Sequence, residues 1–168
     1  VNKLAYDVKV PFTEFSLAKL ADPKRGDIVI IDSKIADKRL VKRIVGLPGD
    51  TIYIQNNTLV INGISVNYNI LEENERDIII EEHLLERTHK VRLSNRLLNR
   101  NGRSYGPTSV PADNYFVLGD NRDNSADSRV YSFIPRGEII GRSSSVIFSL
   151  DSNNKYFPRS DRFLTELN

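Results

Sequence analysis

The sequence predicts a mainly β protein, and three kinds of observation support this prediction. Short apolar runs recur along the 168-residue chain, and turn-forming residues bound them. Asn62-Gly63 separates two of these runs, and this dipeptide is the strongest short-range signal of a β-hairpin. Pro48-Gly49 follows another run and suits a type II turn, whose second central position needs positive φ. We therefore expect a fold built from short strands.

Seven segments have the composition of strands. The first is Ile28–Ile31, an apolar block between Gly26-Asp27 and Asp32-Ser33, which is typical of a buried strand. The others, in chain order, are Arg39–Val45, Thr51–Ile54, Leu59–Ile61, Ile64–Val66, Tyr115–Leu118 and Ser144–Phe148.

The stretch from residue 67 to residue 103 differs in composition, because acidic residues fill its first part and basic residues its second. We interpret it as an insertion or small subdomain in a core formed by residues 1–66 and 104–150, with residues 151–168 as a C-terminal tail. Its basic part lacks interleaved aromatic residues, so nucleic acid is not an expected partner. His83 and His89 have no third ligand nearby; we expect both to be solvated and expect no metal site.

Composition excludes several classes of protein. The chain has no cysteine, which excludes disulfides, thiol catalysis and cysteine metal sites. Its 24 basic and 22 acidic side chains leave a formal charge of +2, which does not demand a polyanionic partner. No apolar run is long enough to cross a bilayer. The chain also lacks methionine, and we expect it to be the C-terminal part of a longer protein.

Two cations, Lys42 and Arg43, lie inside the predicted strand Arg39–Val45, so each face of the strand carries one cation among aliphatic side chains. Burial disfavours the charged form of a lysine and lowers its pKa. An amine whose pKa falls to roughly 7–8 can act as a general base at neutral pH. The alternative, in which Lys42 extends its amine to solvent along its aliphatic stem, stays open.

A polar segment, residues 119–129, directly follows the predicted strand Tyr115–Leu118. Its density of Asp, Asn and Ser predicts a loop with Asx and Ser turns. Ser125, Asp127 and Arg129 occupy alternate positions and would share one side of an extended loop. A polar connection that satisfies its own backbone is the alternative; a calcium loop is disfavoured because the closing Glu is missing.

Taken together, three segments closely resemble type I signal peptidases (leader peptidases): residues 23–29, residues 42–50 with Lys-Arg-Ile-Val-Gly-Leu-Pro-Gly-Asp, and residues 119–129. The resemblance covers residues 1–54 and 110–150. It implies a membrane-anchored serine endopeptidase that uses a Ser–Lys dyad. The implied fold is a core of coiled antiparallel β-sheets, of the signal peptidase and LexA-like type, with a β-rich insertion.

The resemblance also implies roles for particular residues of this chain. Lys42 matches the general base, and Ser125 matches the serine whose hydroxyl hydrogen-bonds and orients that lysine. Asp127 with Arg129 and Asp120 with Arg43 match two supporting ion pairs. Leu40 and Val41 match residues that line the substrate pockets. The resemblance implies no cofactor.

The nucleophilic serine of the family lies in a Ser-Met-x-Pro-Thr-type segment, which also supplies the oxyanion donors and which this chain lacks. We therefore expect the chain alone to be inactive. The implied function of the full-length enzyme is to cleave signal peptides from secreted preproteins after small-x-small residues. It would act on the periplasmic or extracytoplasmic side of the bacterial cytoplasmic membrane, with preproteins and the lipid surface as partners.

Two alternatives of different kinds stay open. One is another Ser–Lys peptidase, such as a self-cleaving repressor of the LexA type, although such repressors lack the segment at residues 119–129. The other is a non-catalytic β module or pseudo-peptidase that binds exported proteins.

Overall fold

The computed structural model describes residues 2, 5–9, 16–85, 87–94, 104–143, 145–146 and 165–166. Strands dominate these residues and pair antiparallel in five sheets, so the predicted mainly β, antiparallel fold is confirmed. Helices within the described ranges are single turns, and none of them is long and apolar enough to span a bilayer.

The strands, in chain order, are β1 (Asp7–Lys9), β2 (Ser16–Lys19), β3 (Ile28–Ser33), β4 (Lys38–Gly46), β5 (Thr51–Gln55), β6 (Thr58–Ile61), β7 (Ile64–Ser65), β8 (Asn67–Glu73), β9 (Asp77–Leu84), β10 (Arg87–Ser94), β11 (Tyr105–Ser109), β12 (Asn114–Leu118), β13 (Ile134–Pro135), β14 (Ile139–Ser143), β15 (Ser145–Val146) and β16 (Thr165–Glu166). The helical turns are Arg122–Asn124, α1 (Ser128–Tyr131) and Arg136–Glu138.

The central sheet has five strands in the order β13-β12-β4-β3-β14 and is covered on both faces. Side chains alternate along β12, so Tyr115 and Val117 enter one hydrophobic cluster while Phe116 and Leu118 enter the other. Three predicted strands therefore form the middle of the core as β3, β4 and β12, and their continuous apolar sequences follow from burial on both sides.

The second sheet, in the order β11-β5-β6-β7, contains the predicted turns. Asn62 and Gly63 have φ of 53° and 80°, which confirms the hairpin between β6 and β7. Gly49 has φ of 88°, as the predicted type II turn requires. The Asp50 carboxylate closes this turn by accepting a 2.6 Å hydrogen bond from the Leu47 N–H.

The third sheet contains β8, β9 and β10 in the order β10-β9-β8. Because it lies within the predicted insertion at residues 67–103, we call it the inserted sheet. Strand β9 pairs with β10 so that Glu81 lies opposite Lys90 and Glu82 lies opposite His89. The acidic and basic blocks of the sequence are thus strands facing each other, an arrangement in which opposite charges attract. Ile78, Ile80, Val91 and Leu93 form a small separate hydrophobic cluster.

Some predictions fall largely outside the described residues. Of the predicted strand Ser144–Phe148, Ser145–Val146 is described and is a strand. Of the predicted tail at residues 151–168, Thr165–Glu166 is described, and it pairs with β15. The division into core, insertion and tail stays a prediction.

Candidate functional site

The pairing of β4 with β12 brings the two polar segments of the sequence together. Arg43 lies opposite Leu118, so continuing the antiparallel register places Lys42 opposite Gly119. Residues 119–127 then connect β12 to α1, and we call them the β12–α1 loop. The lysine-bearing strand and the serine-bearing loop are therefore adjacent because of strand pairing.

Lys42 is half-buried. Burial is the main cause that lowers the pKa of its amine below the ordinary value of a lysine. The carboxylates of Asp127 and Asp120 act against this shift, and the positive charges of Lys38 and Arg129 add to it. At a given pH, a larger fraction of the Lys42 amine is therefore neutral than on an exposed lysine. A general base must be neutral to accept a proton.

Asp127 and Arg129 form a buried ion pair at the start of α1. Asp127 is 1% exposed, and its oxygens accept from Arg129 Nε and Nη2, both at 2.8 Å, and from the Gly119 N–H at 3.0 Å. Burial alone would raise the pKa of Asp127, but the hydrogen bonds and the charge of Arg129 outweigh it and lower the pKa overall. Asp127 also caps α1, so the predicted alternation along an extended loop is replaced by a helical turn.

Ser125 lies in the loop with its hydroxyl oxygen buried, and the hydroxyl faces Asp127, whose pKa it helps to lower. Among the described residues, no hydrogen bond joins it to Lys42. The hydrogen bond from Ser125 to Lys42 that the resemblance implies is thus not formed in this structure. A Cβ built at Gly119 would lie 2.1 Å from Ser125 Oγ and 2.5 Å from its Cβ. Ser125 can therefore lie beside β4 only because residue 119 has no side chain.

Replacing Gly119 with alanine should destabilise the fold by about 1–3 kcal/mol, because the new methyl group overlaps Ser125. The measurement is the free energy of unfolding in urea. Gly137→Ala is the matched control, since a Cβ there meets nothing within 4 Å, and it should change stability by less than about 1 kcal/mol. Adding Ser125→Gly to Gly119→Ala should give a non-additive recovery; full additivity would contradict the clash.

The second predicted pair, Arg43 with Asp120, joins β4 to the same loop. Arg43 is 4% exposed and donates to both Asp120 oxygens, from Nε at 3.0 Å and from Nη2 at 2.9 Å. Its Nη1 donates to the Gly26 carbonyl at 2.9 Å. A bidentate arginine–carboxylate pair fixes direction as well as distance, so it orients the first residues of the loop.

Leu40 and Val41, predicted to line substrate pockets, point to opposite faces of β4. Leu40 is packed into a core cluster, whereas Val41 is 57% exposed. Of the two, Val41 is the one that offers accessible apolar surface.

The predicted solvation of His89 is wrong. His89 is 3% exposed and sits 3.2 Å from Glu82, which is fully buried, while His83 is half-exposed. The reason is that one face of the inserted sheet packs against the β12–α1 loop, with Arg122 paired to Glu82. Within the described part of the chain, no group of three or more His, Asp or Glu residues could hold a metal.

Other residues that the sequence did not point to make polar contacts around β4 and β12. The Ser128 hydroxyl, fully buried, accepts a 2.9 Å hydrogen bond from the Val117 N–H and ties α1 to β12. Arg25 pairs with Asp50 at 2.9 Å, and Asp27 accepts a 2.7 Å hydrogen bond from the Tyr6 hydroxyl. Residues 23–29 and 42–50 contribute to the resemblance, but it did not predict which residues pair with Arg25, Asp27 and Asp50.

Comparisons with known proteins match most of the chain. The family described as signal peptidase, peptidase S26, matches residues 1–148. Signal peptidase I P of Bacillus subtilis subsp. natto is 40% identical over 131 residues, which are 77% of this chain and 62% of that protein. Signal peptidase I of Pseudomonas fluorescens is 31% identical over 165 residues, which are 89% of this chain and 57% of that protein.

Among solved structures, the crystal structure of a signal peptidase I from Enterococcus faecalis V583 is similar to this chain. It has 30% sequence identity and a TM-score of 0.47, and the match covers 74% of this chain and 99% of that one. The chain spans 62% and 57% of the length of the two curated relatives above.

Proposed function

Because this chain belongs to the signal peptidase family, peptidase S26, we propose that it is the catalytic β core of a signal peptidase I. The observation that carries the proposal is the half-buried Lys42 amine, on a strand paired with the strand that leads into the Ser125 loop. A lowered lysine pKa next to a loop of buried, ion-paired groups is the environment that a Ser–Lys peptidase needs.

In the proposed reaction, the nucleophile is a serine from a segment that this chain does not contain. The neutral amine of Lys42 accepts the proton of that serine hydroxyl while the serine oxygen attacks the scissile carbonyl carbon. The same proton then passes to the leaving amino group as the C–N bond breaks. Water next attacks the acyl-enzyme, with Lys42 accepting its proton and returning one to the serine oxygen. The segment that brings the serine also supplies the oxyanion donors.

The remaining site residues hold this arrangement. Asp127 with Arg129 fixes the end of the β12–α1 loop, and Asp120 with Arg43 fixes its beginning. The buried hydroxyl of Ser125 lies between these two pairs in the sequence and would orient the Lys42 amine when the site is complete. No step requires a cofactor or a metal.

The proposed substrates are secreted preproteins, cut after small-x-small residues. The exposed Val41 supports a shallow apolar wall for a small substrate side chain. We place the domain on the extracytoplasmic or periplasmic side of the bacterial cytoplasmic membrane, at the lipid surface where signal peptides emerge, with preproteins and lipid as its partners.

The test is cleavage of a purified preprotein by the protein expressed from its complete reading frame, with the new N-terminus read by mass spectrometry. We expect one cut after a small residue, blocked when that residue is made large. Ser125→Ala should lower turnover by roughly 10- to 100-fold, because a displaced base loses alignment. The free energy of unfolding should change by no more than about 1 kcal/mol, because the Asp127 carboxylate that the hydroxyl faces keeps its hydrogen bonds from Arg129 and from the Gly119 N–H.

Other results would support the alternatives. Binding of preprotein without cleavage would favour a non-catalytic module, and cleavage of the protein's own chain alone would favour a LexA-type peptidase. Unaltered turnover in Ser125→Ala would show that Ser125 is not part of the site. The matched control is Ser109→Ala, at an exposed serine of β11, which should leave turnover unchanged.

A further inference from the structure

Three charged or ionisable side chains are buried where the inserted sheet meets the β12–α1 loop. Glu82 of β9 is 0% exposed, His89 of β10 is 3% exposed and Arg122 of the loop is 6% exposed. Such groups are rarely removed from water without partners, because their desolvation is unfavourable. Their positions therefore require a specific set of contacts.

The contacts form a chain from the inserted sheet to the catalytic strand. Arg122 pairs with Glu82, and His89 Nε2 lies 3.2 Å from Glu82 Oε1 and 3.9 Å from Asp120 Oδ1. Asp120 in turn holds Arg43, the neighbour of Lys42, through two hydrogen bonds. The imidazole of His89 stands between two carboxylates that would repel each other if they met directly.

The same chain reaches the other end of the loop. The carbonyl of Arg122 accepts a hydrogen bond from Arg129, the partner of Asp127. Both ion pairs of the proposed site are thus connected to the inserted sheet through the segment from Asp120 to Arg122.

Backbone contacts add to this attachment. The Arg92 N–H donates to the Asp120 carbonyl at 2.8 Å, and the Ser94 N–H donates to Asp123 Oδ2 at 2.7 Å. Arg92 also forms a parallel bridge with Asn121. Strand β10 therefore acts as an additional strand against the first half of the loop.

Stability alone is a weak explanation for the buried charges. Burial raises the pKa of Glu82, yet Arg122 and His89 outweigh it and lower the pKa overall, so the charged form of the carboxylate is favoured. Replacing a buried ion pair with apolar groups of similar volume is often neutral for stability, whereas such pairs can fix one arrangement of a chain. In this chain, the arrangement that is fixed is that of the loop beside Lys42.

We propose that Glu82 and His89 are positioning residues that hold the β12–α1 loop against the catalytic lysine through Arg122 and Asp120. The inference rests on the proposed function, since it assigns the inserted sheet a role in the same site. It predicts that the loop withdraws from β4 when either residue is changed, and that water then reaches the Lys42 amine.

The readout is the titration of that amine. The groups that face Lys42 are Lys38 on its own strand and Asp120, Asp127 and Arg129 on the loop. When the loop withdraws, the desolvation that lowers the pKa of Lys42 is lost, so the pKa should rise towards that of an exposed lysine.

The experiment uses the 168-residue chain with carbon-13 at the lysine ε carbons, and nuclear magnetic resonance follows each amine with pH. The Lys42→Ala spectrum assigns the signal. In His89→Leu and in Glu82→Gln, the Lys42 midpoint should rise by roughly half a pH unit or more. His83→Leu is the matched control, because His83 lies in the same sheet but is half-exposed. The Lys42 midpoint in this variant should stay at the wild-type value.

Unfolding curves show whether each variant remains folded. If both buried variants unfold, the milder His89→Gln decides the question, because it keeps a polar side chain while it removes the imidazole that lies between Glu82 and Asp120. A higher Lys42 midpoint in this variant supports the proposal. An unchanged midpoint in folded variants overturns it.

Activity separates this inference from the proposed function. In the protein expressed from its complete reading frame, His89→Leu should lower kcat near neutral pH, with recovery at higher pH and little change in KM. If the wild-type protein never cleaves preproteins, the proposed function is overturned. The positioning role of Glu82 and His89 would still be tested, because the Lys42 titration reports on the loop without any cleavage.

Discussion

Lys42→Ala should abolish preprotein cleavage by the protein expressed from its complete reading frame while leaving the domain folded. The substitution removes the only general base that the proposal assigns, and general bases contribute roughly 10²–10⁴-fold to rate. Lys42→Arg should be equally inactive, because a guanidinium does not deprotonate at working pH. Initial rates on a purified preprotein measure both effects, and the unfolding curve of each variant shows that the fold is retained.

The matched control is Arg39→Ala, which removes an exposed cation from the same strand. Its nearest acidic partner, Asp32, lies 3.9 Å away and is also exposed, so cleavage should change little. Retained turnover in Lys42→Ala would refute the assignment of the base, and the loop geometry would then need another explanation.

The pH dependence of the same enzyme follows from the lowered pKa of Lys42. In the proposed reaction the base is the neutral amine of Lys42, so the rate should rise with pH as Lys42 deprotonates. Because burial lowers this pKa, the rise should occur at lower pH than for a solvated lysine. A rate that increased only through the ordinary range of an exposed lysine would place the amine in bulk water.

Asp127→Ala should cause the largest loss of stability among the site residues. The buried carboxylate accepts from Arg129 and from the Gly119 N–H, and it also caps α1. Removing one partner of a buried ion pair leaves the other charge without compensation, and the expected loss is about 3–5 kcal/mol. Urea unfolding at neutral pH measures it, and Asp32→Ala, at an exposed aspartate, should change stability by less than about 1 kcal/mol.

The stability difference should also depend on pH in a defined direction. The pKa of Asp127 is lower in the folded chain than its ordinary value, so the carboxylate stabilises the fold above its unfolded-state pKa. As pH falls through the folded-state pKa, this contribution disappears and wild type should approach Asp127→Ala. A difference that stayed constant down to strongly acidic pH would show that the cap, and not the charge, is responsible.

Much of the local structure could be predicted because it depends on residues close together in the sequence. The turn at Pro48-Gly49 and the hairpin at Asn62-Gly63 each need positive φ at particular positions, and few residue types allow it. The apolar block Ile28–Ile31 became a buried strand because its composition leaves no exposed face.

The candidate site was only partly visible in the sequence. The resemblance singled out Lys42 and Ser125, but the space at Gly119 that accommodates Ser125 has no signature in composition or periodicity. His89 was assigned to solvent because a histidine among charged residues is usually exposed. Its burial depends on Arg122, 33 positions later in the numbering, and on Glu82 across the hairpin.

The amino-acid sequence alone determined the strand-rich fold and its turns, because φ preferences and apolar runs act over a few residues. It also marked the segments that form the candidate site, through their resemblance to a known family. Tertiary structure decided which charged side chains are buried away from solvent. Arg43 meets Asp120 across 77 positions, and Arg122 meets Glu82 across 40. Burial and the electrostatics that follow from it depend on which surfaces pack together, and only the assembled sheets bring those surfaces into contact.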